Sequence, residues 1–485
     1  MRKIENFIGL VILMALFFLM SVYALVYHVK CINFPYPLEY REGVVGYWVN
    51  QLFEKRPLYP EIKDEPPFIH NPYTPLYYVL TGFLQKVLPQ SHIFFPGRLL
   101  SFLSLLTLCF FIVKLVKLHC KNIAAGAIAA CLFFCSPLSI NYCSLEIVDT
   151  LGLCIGVAGL YFATRKTKKG LLASGILCAS AIITKPTFII PAIAISLYLT
   201  NSREKQKIYF YLGFFLPLLI IFCVVLVRYS TGVFTHLIKL NILPLSFSHF
   251  LNVFSIIGIR HSFLLGFLGG FLVLMKNKKD PLYWYCLLSP VTLLFSAKIG
   301  AESNYLLEIL VLSSICTGIL FERVEKPLRK VFLLTCISQM FLFLPFKPAP
   351  VFTKTYGQEI PAAIESRPTD ALKQTGEIIS GELMAVTDPV LSEDIGWLVM
   401  SGKKVIIEPY QFSQLAKYGR WDDSFVVGMI NEKEFNLILL SADSYEKGSE
   451  KFTRDMLKAI KENYQIKRVV GNTYLLEPVM WKDEW

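Results

Sequence analysis

Charge is scarce in this chain. Asp, Glu, Lys and Arg make up 17% of its 485 residues against 54% hydrophobic ones, and the mean hydropathy is +0.51. A soluble globular domain carries about a quarter charged residues, so that class is excluded. Cysteines at metal spacing are also missing. There are twelve, but no C-x-x-C occurs and none follows Cys336. This removes a zinc signature and, for the C-terminal part, a disulfide framework. Most cysteines lie in apolar runs, where the thiol behaves as a small hydrophobe. No repeat of fixed period is visible, which argues against a solenoid, and the inverted repeat of a transporter is weak. The C-terminal part has no Gly-rich phosphate loop and no nucleophile elbow.

What is present is a series of apolar runs. They fall at 7–27, 96–117, 123–140, 146–163, 170–184, 187–200, 207–228, 252–275, 281–297, 303–321 and 330–346. That is about eleven segments long enough for an α-helix to cross about 30 Å of hydrocarbon, with the two around Pro186 the shortest. The first is too long for a cleaved signal peptide, and no small-x-small site follows it. Lys and Arg cluster in alternate short loops: Lys114 to Lys121, Arg165 to Lys169, Arg203 to Lys207, Lys276 to Lys279 and Arg323 to Lys330. The positive-inside rule assigns these loops and the N-terminus to the cytoplasm. Loops 28–95, 138–145, 229–251 and 298–302 and the C-terminal tail then lie on the outer face of a cell (inner) membrane. The net charge of +12 reports this topology and needs no nucleic-acid partner.

Three parts are expected: a membrane module over 1–349, a Pro-rich linker over 350–380, and a small extracytoplasmic α/β domain over 381–485. In the last, ELMAVTD, KKVIIEP and FNLILLS read as strands, 411–419 and 450–463 as helices, and YQIKRVV with TYLLEP as a closing strand pair.

Four clusters on the outer face offer chemistry. Glu39 and Glu42 read either as solvated loop acids or as a general base held at an apolar boundary, where burial raises a carboxyl toward the working pH. Glu146 and Asp149 stand a turn apart where the fourth span begins. They are either helix-start charges or functional acids in an apolar run. Lys185, in ASAIITKPTFIIP, either snorkels to the interface or binds a lipid phosphate from the tip of a broken hairpin. The fourth cluster, SAKIGAESNYLLE, carries Lys298, Glu302, Asn304, Tyr305 and Glu308. Fixed cations suit a phosphate leaving group, and Lys185, Lys298, Arg98, Arg228 and Lys239 are available there. His70, beside Asn71 and Pro72, reads more readily as a turn cap than as a proton carrier. Tyr73, Tyr77 and Tyr78 suggest an amphipathic helix packed on lipid with Pro75 in its first turn.

These motifs, in this order, resemble the bacterial multi-spanning GT-C glycosyltransferases that use polyprenyl-phosphate sugars, a group related to the protein O-mannosyltransferases and aminoarabinose transferases (family 39-like). PLEYREG with RPLYP and NPYTPLYY is similar to the family's first outer loop, FPGRLLS to its second span, EIVDTLGL to its fourth, LCASAIITKPT to its lysine hairpin and GAESNYLLE to its late outer motif. VLSEDIGWLVMSGKKVIIEPYQF and YGRWDD are similar to the exported tail of some members. The family places an adjacent Asp-Glu where this chain has Glu39 and Glu42, separated by Tyr40 and Arg41.

The resemblance implies a polytopic α-helical membrane enzyme of GT-C type with a small C-terminal α/β extracytoplasmic domain. It would transfer a sugar, with inversion, from a polyprenyl-phosphate donor in the bilayer to a glycan, lipid or protein acceptor. Glu42 is favoured as base, with Glu39 and Asp149 as the other catalytic candidates. Lys185, Lys298, Arg98 and Arg41 would hold the donor phosphate, and His70, Tyr73, Glu302, Asn304 and Tyr305 the substrate. A divalent cation at Asp149 is compatible with these residues, though nothing in the sequence requires it. A transporter or flippase of lipid-linked intermediates is the alternative, and it would tolerate loss of the base.

Overall fold

The computed structural model describes residues 2–89, 91–274, 278–344 and 368–479. Each expected apolar run is largely helical over its described residues, and several are subdivided; 275, 345 and 346 lie outside the described residues. The run 252–275 breaks at His261 into Phe247–Arg260 and Ser262–Leu274. The run 281–297 breaks near Pro290 into Pro281–Leu288 and Val291–Phe295. Among the described residues four helices are long and apolar enough to cross a membrane: Val11–Asn33, Phe95–Cys120, Lys207–Tyr229 and Ser303–Arg323. Six further apolar helices are shorter.

Burial sorts these helices into layers. Leu307–Arg323 buries nearly every residue and forms the centre of the bundle. Lys207–Tyr229 buries little and leaves Ile208, Phe215, Leu219 and Val227 exposed. A helix apolar on its exposed face is solvated by lipid, so the chain is a multi-pass membrane protein. Lys207–Tyr229 packs closely on Lys168–Thr184 because glycines face each other. A Cβ on Gly175 would strike the Phe210 carbonyl, and one on Gly213 the Leu172 carbonyl.

Local signals place the site. Glu39 caps the helix Tyr40–Phe53 by accepting the Arg41 backbone N–H, so the acids of PLEYREG stand at a helix start. The helix Lys168–Thr184 stops at Lys185, whose backbone is extended (φ −155°, ψ 123°) because Pro186 follows. The helix Leu76–Val87 begins after Pro75, as expected, but Tyr77 and Tyr78 face the protein. Their hydroxyls donate to the Gly97 carbonyl and to Asn71 Oδ1, while Val79, Phe83 and Val87 are exposed. The expectation that these tyrosines pack on lipid is therefore corrected: buried partners for both hydroxyls outweigh the interface.

The tail forms a four-stranded sheet in the order β1-β2-β4-β3. β1 (Val390–Ser392) runs parallel to β2 (Leu437–Ser441), while β2 with β4 (Thr473–Pro478) and β4 with β3 (Tyr464–Val470) are antiparallel. The closing strand pair is as read from the sequence, turning at Gly471 with φ +59°. Helices Pro409–Lys417 and Arg454–Asn463 lie near the expected positions. ELMAVTD is different: most of it belongs to the helix Asp370–Ala385, capped by Thr369, which also takes up the end of the expected linker. The rest of that linker, through residue 367, lies outside the described residues. KKVIIEP is not a sheet strand either; it pairs singly with the first loop, Ile407 bridging Phe68.

The first loop and the tail share one core. Val44, Val45, Trp48 and Val49 pack with Ile379, Ile395, Leu398 and Val399. The approach is so close that a Cβ on Gly43 would meet the backbone nitrogen of Gly396.

Candidate active site

A cavity of about 630 Å³ lies between the first loop, the break after Lys185, the segment around Lys298 to Tyr305, and the tail. Its volume falls within the range of small-molecule sites. Its lining mixes apolar Leu237, Leu245, Leu294 and Phe295 with the cations Arg41, Lys185, Lys298 and Lys451.

Lys185 is buried, with its ammonium 2.8 Å from Asp149 Oδ1. Asn304 Nδ2 donates to that same oxygen at 2.9 Å. The Lys185 nitrogen lies 4.1 Å from the Tyr305 ring centre and 5.7 Å from that of Tyr73, so two aromatic faces hold it. Beneath it, Asp149 Oδ2, Asn304 Oδ1 and Glu308 Oε1 are buried with no hydrogen-bond partner among the described residues. They border a void of about 10 Å³, close to the space one water needs.

Arg41 joins two acids. Its Nε lies 3.1 Å from Glu39 Oε1 and its Nη2 3.1 Å from Glu302 Oε2. Burial pushes the Glu39 carboxyl up to about 7; Arg41 opposes this, and the neighbouring Glu302 and Glu42 carboxylates add to it. Glu302 is half-exposed and lines the cavity. Lys298 donates to the backbone oxygen and to Oδ1 of Asn241, each at 3.2 Å. Burial moves its ammonium below the usual lysine value; Tyr305 opposes the shift and Lys185 adds to it.

His70 also lines the cavity, but burial first, and then His236, hold its ring neutral with a value of about 3. Its Nε2 donates to the His236 carbonyl and its backbone N–H to Glu408 Oε2 at 3.1 Å. It therefore brings no positive charge to a phosphate.

Two candidates stand apart from the cavity. Glu42 and Arg98 are wholly buried against each other, with Arg98 Nε and Nη2 each 2.7 Å from a Glu42 oxygen. Glu42 also accepts the Leu38 and Glu146 backbone N–H groups, so its acceptor capacity is filled. Arg98 spends its remaining donors on the carbonyls of Cys31, Phe34 and Tyr36. Neither lines the cavity. Glu42, expected as base, and Arg98, expected as phosphate ligand, thus stand outside the cavity, where the pair ties the first loop to the helix Phe95–Cys120. Glu39 lies behind Arg41 and borders a second cleft beside Asp394 and Trp397. Arg228 and Lys239 do not line the cavity.

The structure thus brings together Arg41, His70, Tyr73, Lys185, Lys298, Glu302, Asn304 and Tyr305, with Asp149 directly behind Lys185. The sequence reading missed Glu408, Tyr410 and Lys451 from the tail and Asn241 from the loop after Lys207–Tyr229. The one signal was the acid closing the apolar run KKVIIEP. Among the described residues no three His, Cys, Asp or Glu side chains cluster to hold a metal. Asp149 and Glu302 are each engaged by a cation, an arrangement that does not suit a divalent ion.

Residues 72–227, less than half of the chain, match the family model described as dolichyl-phosphate-mannose-protein mannosyltransferase. Over its length the fold is similar to two crystal structures of ArnT from Cupriavidus metallidurans. The form bound to undecaprenyl phosphate aligns with a TM-score of 0.62 at 10% identity, covering 94% of this chain and 97% of that one. The apo form aligns with the same score and coverage at 12% identity. The apo oligosaccharyltransferase of Archaeoglobus fulgidus is similar at a TM-score of 0.53 and 10% identity, over 96% of this chain and 75% of that one. A comparison with curated protein sequences finds no match. About a third of this multi-pass helical chain thus matches a mannosyltransferase family model, and nearly all of it shares the fold of the ArnT and oligosaccharyltransferase structures.

Proposed function

We propose that the chain transfers a sugar, with inversion, from a polyprenyl-phosphate donor to a nucleophilic acceptor at the extracytoplasmic face of the cell membrane. The observation that carries this reading is the convergence of Arg41, Lys185 and Lys298, from three separate segments, on one cavity with an apolar wall. A lipid phosphate needs both features, and the similar ArnT structure binds undecaprenyl phosphate.

The donor phosphate sits among Lys185, Lys298 and Arg41. Asp149 is a positioning residue that fixes the Lys185 ammonium against the Tyr305 face. The base is the cavity carboxylate Glu302. A phosphate that takes up the Arg41 guanidinium releases Glu302 to accept the acceptor's proton. The acceptor atom bonds to the anomeric carbon from the side opposite the phosphate. The carbon–oxygen bond to phosphate breaks and its electron pair leaves on the polyprenyl phosphate, where the fixed cations stabilise the growing charge. No step runs through a metal.

The test uses purified protein in nanodiscs with a panel of undecaprenyl-phosphate sugars and a cell-envelope extract as acceptor source, following release of undecaprenyl phosphate. Release by wild type and its loss in Glu302→Gln is the expected result. No release from any donor by folded wild type would overturn the donor assignment. Release undiminished in Glu302→Gln would overturn the base.

A further inference from the structure

The phosphate chemistry leaves one buried acid of the cavity unused. Glu408 comes from the tail, is 5% exposed and lines the same cavity as the cations. One carboxyl oxygen accepts the His70 backbone N–H, and among the described residues no Lys or Arg pairs with it. Burial favours the neutral form of this carboxyl, and with no cation beside it among the described residues its partner is a neutral, hydrogen-bonding group.

Its surroundings fit a sugar ring. Tyr40 and Tyr410 stand edge to face with centres 6.4 Å apart, and both line the cavity. Aromatic faces of this kind take the apolar C–H side of a pyranose or furanose, while a carboxyl takes its hydroxyls. The tail is held in place to do this. The Phe68 N–H donates to the Ile406 carbonyl and the Glu408 N–H to the Phe68 carbonyl, both at 2.8 Å. The Tyr410 N–H reaches Tyr40 Oη at 3.2 Å, Gln411 Nε2 the Leu240 carbonyl at 2.5 Å, and Arg420 Nη2 the Lys239 carbonyl at 2.8 Å.

We infer that the tail forms the sugar subsite of the donor cavity, with Glu408 hydrogen-bonding a hydroxyl of the donor sugar that lies against the cavity face of the Tyr40–Tyr410 pair. This rests on the donor reading above and adds that the tail selects the sugar while the membrane helices hold the phosphate.

The experiment separates the two moieties. Affinity is measured for undecaprenyl phosphate alone and for the undecaprenyl-phosphate sugar that wild type uses, on wild type, Glu408→Gln and Glu408→Asp in nanodiscs. The expected result is undecaprenyl phosphate bound within about twofold of wild type and the sugar donor bound about tenfold more weakly, as loss of a buried hydrogen bond gives. Equal effects on both ligands, or none on either, in a variant that unfolds at or above the wild-type midpoint would overturn the inference. Glu408→Asp keeps the carboxyl but withdraws it by one methylene, and it reads the same contrast if the Gln variant does not fold. Failure of wild type to bind any undecaprenyl-phosphate sugar would overturn the donor assignment and this inference with it.

Discussion

Replacing Glu42 by Gln swaps one carboxylate oxygen for an NH2 group inside a fully buried pair. Each Glu42 oxygen accepts two N–H groups: Oε1 from Arg98 Nε and Glu146, Oε2 from Arg98 Nη2 and Leu38. Whichever way the amide turns, two N–H donors face another donor, and the Arg98 guanidinium is left buried without a counter-charge. Removing one partner of a buried ion pair costs about 3–5 kcal/mol. The assay is thermal unfolding of the purified protein in nanodiscs beside release of undecaprenyl phosphate. A large fall in the unfolding midpoint is expected. Activity should fall in proportion to the folded fraction, and at a temperature where the variant stays folded release should approach wild type. The double variant Glu42→Gln/Arg98→Met should recover part of the loss, because it removes the orphaned charge. A Glu42→Gln protein of wild-type stability with release down a hundredfold would refute this reasoning and return Glu42 to the chemistry.

Further outcomes follow from the same geometry. Lys185→Met leaves Asp149 buried and unpaired, so both stability and release should fall. Adding Asp149→Asn should restore the unfolding midpoint but not release, which separates the structural from the chemical role of the pair. Glu302→Gln, at a half-exposed site, should change stability by less than about 0.5 kcal/mol while release falls about 10²–10⁴-fold and undecaprenyl phosphate still binds. Gly43→Ala should push the helix Tyr40–Phe53 off Gly396 and cost about 1–3 kcal/mol, read as faster proteolysis of the tail. Burial raises the Glu408 carboxyl from 4.5 to about 8, so the folded protein holds this proton more tightly than the unfolded chain. The stability it contributes is full below 4.5 and is lost as pH rises through about 8. The isosteric Glu408→Gln should therefore gain stability relative to wild type between pH 5 and pH 9 in a thermal series, and a constant difference would sink the assignment.

Much of the membrane part was legible because lipid imposes a simple rule: long apolar runs become helices, and basic loops alternate between them. Lys185 was legible for a local reason, since the residue before a proline is disfavoured in an α-helix and the apolar helix here ends at it. The fates of Glu39 and Glu42 were not legible. Three residues apart at a helix start, they look alike in sequence, yet Glu42 meets Arg98 56 positions away while Glu39 meets Arg41 two positions away. Only the tertiary fold decides which acid is sealed. Glu408 was hidden for the same reason: its partner, His70, lies 338 positions earlier. In ELMAVTD the sequence offered a strand-like ending, but a Thr cap at 369 and helix-forming residues from Asp370 onward carried the helix as far as Ala385.

The core shared by the first loop and the tail sets an order of assembly. Val44, Val45, Trp48 and Val49 leave the ribosome early, but part of the surface that covers them belongs to residues made more than three hundred positions later. Until Ile379, Ile395 and Leu398 arrive, the helix Tyr40–Phe53 presents a partly uncovered apolar face, and the cavity it borders lacks Glu408, Tyr410 and Lys451. On the proposed topology those late residues must also cross the bilayer. The cavity wall is complete only when the last domain has docked, so on the proposed function a chain lacking the tail should release no undecaprenyl phosphate even with every membrane helix in place.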